Sequence, residues 1–337
     1  MKKLTLLTVL LIVCSCSSRH SSSALSELGN EVPLAAQEYT DEIVMPNPLS
    51  IAMAAGKLLL FQGVGEDAIL VVNPEDGTLQ GRFGLRGVGP GEFTYPIYWG
   101  SNAERNELYL FDLNLSCLRT YSCWEEGDSI RFSLEKERRM EAETSVHSGV
   151  VIGDSLSVAS ALFNSPQPLV LLDKNLKPSG YVETFPKQGN SPDMLTYAGV
   201  FSSRGNRFVY GMENLGYLAC YHCKGSEVRK EWEVFLEEPR YKGEKLDINR
   251  LKQGFLDVRM TENYIFCNYS GQVFSPEDPG FFGHHILVFN HRGKLVKNFK
   301  LDRRIAHMTV SPDEKTVYAV ANEPDVNIVR FHVGDFL

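Results

Sequence analysis

The densest group of side chains with metal-binding chemistry surrounds a pair of adjacent histidines. His284 and His285 follow Glu277 and Asp278, and His291 lies shortly after them. Imidazole and carboxylate groups are common zinc ligands. Adjacent residues of a strand point to opposite faces, however, and no His-x-His or His-x-x-x-His spacing accompanies the pair. The pattern favours a solvated loop that enters a strand, so we expect no metal or other cofactor.

Alternating glycines form a second pattern with possible chemistry. Gly87, Gly89 and Gly91 resemble a phosphate-binding loop in their spacing. Such a loop ends in Lys-Ser/Thr and opens a helix, and neither feature follows here. We therefore interpret these glycines as a structural turn.

The tetrapeptide Gly153–Leu156 spells the motif of GDSL hydrolases, a resemblance that would make Ser155 a nucleophile. In that family the serine lies on a strand-to-helix turn, and a downstream Asp-x-x-His completes the machinery. Here the next residues predict a strand, and no Asp-x-x-His occurs near the C-terminus. A serine without a base and an orienting acid is unreactive, so we predict no catalytic residue.

Five cysteines follow the leader, an odd number for a compartment that permits disulfides. Cys220 and Cys223 form a lone C-x-x-C, but residues three apart on a strand point to opposite faces. We expect most of the five to be buried thiols that act as small hydrophobic side chains. They are Cys117, Cys123, Cys220, Cys223 and Cys267.

The N-terminus predicts export. Two lysines precede an apolar stretch, Leu4–Val13, that is too short to span a bilayer. The following Val-Cys-Ser-Cys resembles the lipobox of bacterial lipoproteins, with Cys16 as the lipidated residue because Ser15 is small. Residue 17 is serine rather than aspartate, which by resemblance to Gram-negative sorting implies the outer membrane. An ordinary secretory signal with incidental cysteines is the alternative.

This interpretation divides the chain into three parts. Residues 1–16 are the signal peptide, residues 17–30 a serine-rich tether, and residues 31–337 a single domain. The net charge of −8 argues against nucleic acid as a partner. No later apolar run reaches membrane-spanning length, so a membrane contact is expected only through the N-terminal lipid.

A repeated sequence unit runs through the predicted domain and would position its candidate residues. A polar turn followed by an apolar run recurs six times, at intervals of 50, 48, 52, 57 and 52 residues. Repeats of about 40–50 residues with several short strands are typical of β-propeller blades. We predict an all-β, six-bladed β-propeller with four antiparallel strands per blade. The aligned residues are Leu58, Leu108, Leu156, Phe208, Ile265 and Val317.

The sixth repeat ends before a fourth strand. The segment of residues 31–45 precedes the first repeat and belongs to no other. We predict that this N-terminal segment supplies the missing outer strand and closes the ring. Closure would remove an open sheet edge, which otherwise promotes aggregation.

A family resemblance supports the same fold. Gly84–Pro96 resembles the inter-blade signature of NHL and TolB-like six-bladed propellers, and His307–Asp313 is similar to the strand-turn of TolB-like repeats. The resemblance implies that the glycine-rich segment crosses from one blade to the next and that Phe93 wedges between them.

One long loop is the leading binding candidate. Residues 270–283 separate the second and third strands of the fifth repeat, whereas most corresponding loops are only a few residues long. Such loops share a face with the inter-blade crossings, and exposed aromatic residues there can anchor partners. The equal alternative is that the phenylalanines of this loop, Phe274, Phe281 and Phe282, pack on their own blade. The candidate binding face comprises Arg86, Glu92, Tyr95, Phe274, Phe281, Phe282 and His284.

Carboxylates also recur at this face and could attract a cation, although turns favour aspartate for local reasons. They are Glu66, Asp67, Asp112, Glu213, Asp278 and Asp325.

These features favour an envelope scaffold that binds a protein, peptide or glycan. A channel-mouth metal-dependent hydrolase or lyase, as in lactonase-like propellers, is the alternative. A purely architectural component is a third possibility. The predicted inner strands offer few metal ligands, which disfavours the enzyme.

Overall fold

The computed structural model describes residues 28–39, 43, 45, 47–141, 145–163, 165–184, 194–243, 245–273, 275, 282–322 and 326–337. The predicted lipidation site Cys16 and most of the tether lie outside these residues. Helical structure in the described residues comprises two short 3₁₀ turns, Met194–Tyr197 and Ile248–Arg250. Within these ranges, no helix is long and apolar enough to cross a membrane.

Two short strands precede the first repeat, β1 (Glu31–Leu34) and β2 (Gln37–Glu38). Repeats 1 to 4 then each form one antiparallel sheet of four strands, taken in sequence order. Repeat 1 contains β3 (Pro48–Ala54), β4 (Lys57–Gln62), β5 (Asp67–Val72) and β6 (Leu79–Leu85). Repeat 2 contains β7 (Pro96–Asn102), β8 (Glu107–Asp112), β9 (Cys117–Glu126) and β10 (Ser129–Arg139).

Repeats 3 and 4 follow the same plan. Repeat 3 contains β11 (Ser145–Ile152), β12 (Leu156–Phe163), β13 (Leu169–Leu172) and β14 (Pro178–Val182). Repeat 4 contains β15 (Gly199–Arg204), β16 (Arg207–Met212), β17 (Tyr217–Lys224) and β18 (Glu227–Phe235). A small hairpin, β19 (Tyr241–Lys242) and β20 (Lys245–Leu246), lies in the crossing that follows.

Repeats 5 and 6 share one sheet. Its strands are β21 (Phe255–Met260), β22 (Tyr264–Tyr269), β23 (Gly283–Asn290), β24 (Leu295–Val310), β25 (Thr316–Ala321) and β26 (Asn327–His332). The first half of β24 pairs with β23, and its second half pairs with β25. The joining residues Leu301–Ile305 contain neither glycine nor proline, so the strand continues without a turn. Sequential four-stranded antiparallel sheets are the architecture of a β-propeller.

The N-terminal segment differs in part from the sequence prediction. Strand β2 pairs antiparallel with β26, at Gln37 and Arg330, as an outer strand of repeat 6 would. Strand β1 instead runs parallel to β24, where Val32 lies opposite Phe299 on the edge of repeat 5. Val32 and Leu34 pack on the apolar cluster of repeats 5 and 6, which accounts for this placement.

The core lies between neighbouring repeats. In β4, Leu59 and Phe61 pack against repeat 2, whereas Leu58 and Leu60 pack against repeat 6. Successive residues of a strand point to opposite faces, and here both faces are covered. This explains why β4 is buried throughout and has no polar-apolar alternation.

The cysteines and the GDSL tetrapeptide have structural roles. All five cysteines are buried and free, and burial raises the pKa of Cys220 to about 12. Cys220 and Cys223 pack in different clusters, on opposite faces of β17. Ser155 lies in the turn between β11 and β12, where Asp154 pairs with Arg105 of repeat 2. The tetrapeptide is therefore a hairpin turn.

Candidate functional site at the channel mouth

A cavity opens where the first strands of the repeats begin and their second strands end. These points share one end of each sheet because neighbouring strands are antiparallel. The cavity has a volume of about 440 Å³, and we call it the mouth cavity. Its lining comes from repeats 1, 4, 5 and 6. The lining residues are Asn47, Pro48, Glu213, Leu256, Phe282, Ala306, His307, Asn322 and Val326.

A buried ion pair links the inner strands of several repeats. Asp257 pairs with Arg259, and the other oxygen of Asp257 accepts a hydrogen bond from the Met308 backbone N–H at 2.9 Å. The Arg259 guanidinium donates to the Ile51 carbonyl at 3.0 Å and lies 5.4 Å from the centre of the Tyr98 ring. Burial raises the pKa of Asp257, against the opposing effect of Arg259. The pair therefore connects repeats 5, 6, 1 and 2.

Two histidines flank the mouth cavity. Burial lowers the pKa of His307, against the opposing effect of the Asp257 charge, and so favours the neutral imidazole. His147 bonds the Glu213 carboxylate at 3.2 Å, and this hydrogen bond raises its pKa. The pair joins repeat 3 to repeat 4.

Serine hydroxyls connect neighbouring inner strands. Ser148 donates to the Gly199 carbonyl, and Ser203 donates to the Val151 carbonyl at 2.7 Å. Ser202 accepts from the Met260 backbone N–H at 2.9 Å. Side chains thus satisfy backbone groups of the inner strands of repeats 3, 4 and 5.

Among the described members of the predicted binding face, Phe282 lines the mouth cavity. The Arg304 guanidinium lies over its ring, 5.8 Å from the ring centre. His284 is partly buried near the start of β23. Phe274 and Phe281 lie outside the described residues.

Arg86, Glu92 and Tyr95 are held within the crossing from repeat 1 to repeat 2, and they are not among the cavity-lining residues. The Arg86 guanidinium donates to the Thr94 carbonyl at 2.6 Å and also to the carbonyl of Gln62. The Glu92 carboxylate accepts from the Gly89 N–H at 2.8 Å. The Tyr95 backbone N–H donates a hydrogen bond to the Asp112 carboxylate at 3.2 Å. These contacts shape the crossing itself.

The recurring carboxylates that the structure describes are not brought together. Asp67 pairs with Arg82, Asp112 bonds the Thr94 and Leu115 backbone, and Glu213 lines the mouth cavity. Asp278 and Asp325 lie outside the described residues. Among the residues described, no three His, Cys, Asp or Glu side chains are grouped for a metal ion.

Sequence reasoning missed Asp257, Arg259, His147 and His307 as channel residues. A usable signal was present in β21, where an aspartate and an arginine interrupt an otherwise apolar strand at alternate positions. Alternate residues share a face, so the two side chains were placed to meet.

No protein-family model matches the sequence, and no curated protein matches it. Several solved structures resemble the fold. A predicted exported protein from Bacteroides fragilis has a TM-score of 0.55 at 16% identity, covering 89% of this chain and 94% of its own. A DUF4221-family member from Bacteroides vulgatus has a TM-score of 0.56 at 13% identity, covering 90% and 98%. A protein from Lactobacillus plantarum has a TM-score of 0.50 at 13% identity, covering 85% and 80%. At these identities, the likenesses show a common fold.

Proposed function

We propose that this chain is a lipid-anchored propeller of the cell envelope that binds a protein, peptide or glycan through the loop face that holds the mouth cavity. The mouth cavity is the observation that carries the proposal. Its walls combine an aromatic side chain, apolar side chains and a few polar groups, the usual composition of a binding site.

The proposed ring has six blades and resembles NHL and TolB-like propellers in its first crossing. Contacts between successive inner strands support it, and the inner part of β24 contacts β3 of repeat 1. An apolar cluster between repeats 6 and 1 includes Tyr39, Ile43 and Met45 of the N-terminal segment. The Tyr39 hydroxyl also donates to the Pro74 carbonyl at 2.6 Å. The N-terminal segment would thus close the ring.

The envelope location rests on the leader and on the predicted exported protein of similar fold. Cys16 would carry the lipid, because several acyl chains anchor firmly where one does so only marginally. Serine rather than aspartate at position 17 favours the outer membrane. Fractionation of cells that produce Cys16→Ala tests this. We expect the variant to leave the membrane fraction, and its full retention there would contradict the anchor.

Binding is tested by site-specific photocrosslinking in intact cells. A benzoylphenylalanine at position 282 places the probe in the mouth cavity while preserving an aromatic side chain. Tyr181 on β14 is the matched control, because this aromatic side chain is 44% exposed on an outer strand. We expect a discrete adduct from position 282 and none from position 181. Identical adducts from the two positions, or no adduct from position 282 together with no saccharide bound by the purified chain, would contradict binding at the mouth.

A further inference from the structure

The mouth cavity joins an aromatic ring to neutral groups that both donate and accept hydrogen bonds. Phe282 supplies the ring, Asn47 and Asn322 supply carboxamides, and His307 supplies an imidazole. A carboxamide carries two donors and an acceptor, and the His307 imidazole, whose N–H bonds the Pro48 carbonyl, keeps an acceptor nitrogen. Such walls match a ligand whose own groups donate and accept.

The charged side chains that the structure describes around the mouth cavity already have partners within the protein. Glu213 is the one carboxylate among the described lining residues, and His147 bonds it at 3.2 Å. Lysine and arginine are absent from that described lining. Deeper in the channel, Arg259 is committed to Asp257 and to the Ile51 carbonyl. The described lining offers an anionic ligand no lysine or arginine side chain, although the Arg304 guanidinium lies over the Phe282 ring, 5.8 Å from its centre. A cationic ligand would compete with His147 for the Glu213 carboxylate.

An extended peptide fits the channel poorly. Strand addition requires free backbone groups on an exposed strand edge. Several inner-strand groups are instead bonded by Ser148, Ser202, Ser203 and Asp257. Side chains, rather than backbone groups, would therefore bind a ligand in the mouth cavity.

Resting on the proposed binding function, we propose that the mouth cavity takes a neutral saccharide unit. A pyranose has a face of C–H groups, which would pack on Phe282. Its hydroxyls would bond the two carboxamides of Asn47 and Asn322, the imidazole of His307 and the outer oxygen of Glu213. The cavity volume of about 440 Å³ lies within the range of small-molecule sites.

Calorimetric titration tests this with the purified full chain in a detergent that has no sugar headgroup. The neutral probes are cellobiose, maltose and N,N′-diacetylchitobiose. The charged comparators are the deacetylated diamine of chitobiose and glucuronate. We expect saturable binding of at least one neutral disaccharide, and weaker or no binding of both charged probes. The inference would be overturned if no neutral probe bound at concentrations up to about 10 mM, or if a charged probe bound more tightly than the neutral ones.

Variants assign the binding to the cavity. Phe282→Ala and, separately, Asn322→Ala should each weaken the bound disaccharide at least about tenfold. Tyr181→Ala on the outer strand should leave affinity unchanged. Equal affinities for all three variants would overturn the assignment. A protein adduct at position 282 without saccharide binding would overturn this inference alone, whereas loss of both would overturn the proposed function as well.

Discussion

At the residue scale, the Asp257–Arg259 pair is the most consequential buried interaction of the channel. The side chains are only 7% and 12% exposed, respectively, so each charge depends on the other for compensation. Removing one member of a buried pair leaves an uncompensated charge and costs about 3 kcal/mol or more. The pair also bonds backbone groups of repeats 6 and 1, so its loss would disturb the floor of the mouth cavity.

We predict that Asp257→Asn lowers the free energy of unfolding by about 3 kcal/mol. The double variant Asp257→Asn with Arg259→Met should cost less than the sum of the two single changes, because the charge is removed together with its partner. Urea unfolding measures each value. Asp67→Asn in the more exposed pair with Arg82 is the control and should cost under about 1 kcal/mol. Equal losses at the two aspartates would contradict this account.

The His147–Glu213 pair predicts a small pH dependence. Its hydrogen bond raises the pKa of His147 above the ordinary value of 6.5. The stabilisation is therefore complete below pH 6.5 and is lost as pH rises through the raised value. Because both side chains are substantially exposed, we expect about 0.3 kcal/mol.

Comparison of the wild type with His147→Gln between pH 5 and pH 9 isolates this effect. The stability difference should shrink with rising pH, and Glu213→Gln should remove the same pH-dependent part. A difference that stays constant across the range would show that the hydrogen bond does not control this titration.

At the element scale, the crossing from repeat 1 to repeat 2 depends on a close approach of backbone to ring. Gly84 has φ +77°, and a Cβ there would lie 2.7 Å from the Phe93 ring. Phe93 is fully buried and packs with side chains of both repeats. Phe93 therefore packs between the two repeats, as the family resemblance implied.

We predict that Gly84→Ala costs about 2–3 kcal/mol, combining left-handed backbone strain with displacement of the ring. Gly127→Ala is the matched control, because Gly127 has φ +60° but a Cβ there would meet nothing within 4 Å. It should cost only about 1 kcal/mol. Thermal unfolding of both variants measures the difference, and equal costs would rule out the Phe93 contact as the cause.

The repeat spacing predicted the sheets well because each four-stranded unit is built from local antiparallel pairings. Boundaries without turn residues were harder to predict. Strand β24 continues from the outer position of repeat 5 to the inner position of repeat 6, where the sequence Asp-Arg-Arg gives no turn signal. The position of Glu31 was also unpredictable, because its pairing depends on Lys300 and His285, more than 250 residues away.

The candidate site was less accessible to sequence reasoning than the fold. Phe282 was proposed as a binding residue because a long aromatic loop is visible in the sequence, and in the structure it lines the mouth cavity. His147 and Glu213 come from different repeats and meet only through the arrangement of the sheets. No short stretch of sequence indicates that these two side chains are in contact.

At the scale of the whole molecule, the proposed ring brings the cavity-lining residues of repeats 1 and 6 together. The N-terminal segment has a central part in this, because Tyr39 packs between these repeats beneath the Arg330 guanidinium, which lies 5.3 Å from the Tyr39 ring centre. A mouth cavity built from four repeats therefore depends on contacts between the two ends of the chain.

The most direct test is a designed disulfide across this junction, Gln37→Cys with Arg330→Cys, at residues that lie opposite each other. The five cysteines in the described part of the chain are buried, so they should not compete. Gln37→Cys with Arg131→Cys on β10 is the unpaired control. Gel mobility under non-reducing conditions should show an intramolecular crosslink in the first variant alone, with a higher unfolding temperature. No crosslink in the first variant, or equal crosslinking in the control, would contradict closure of the ring by the N-terminal segment.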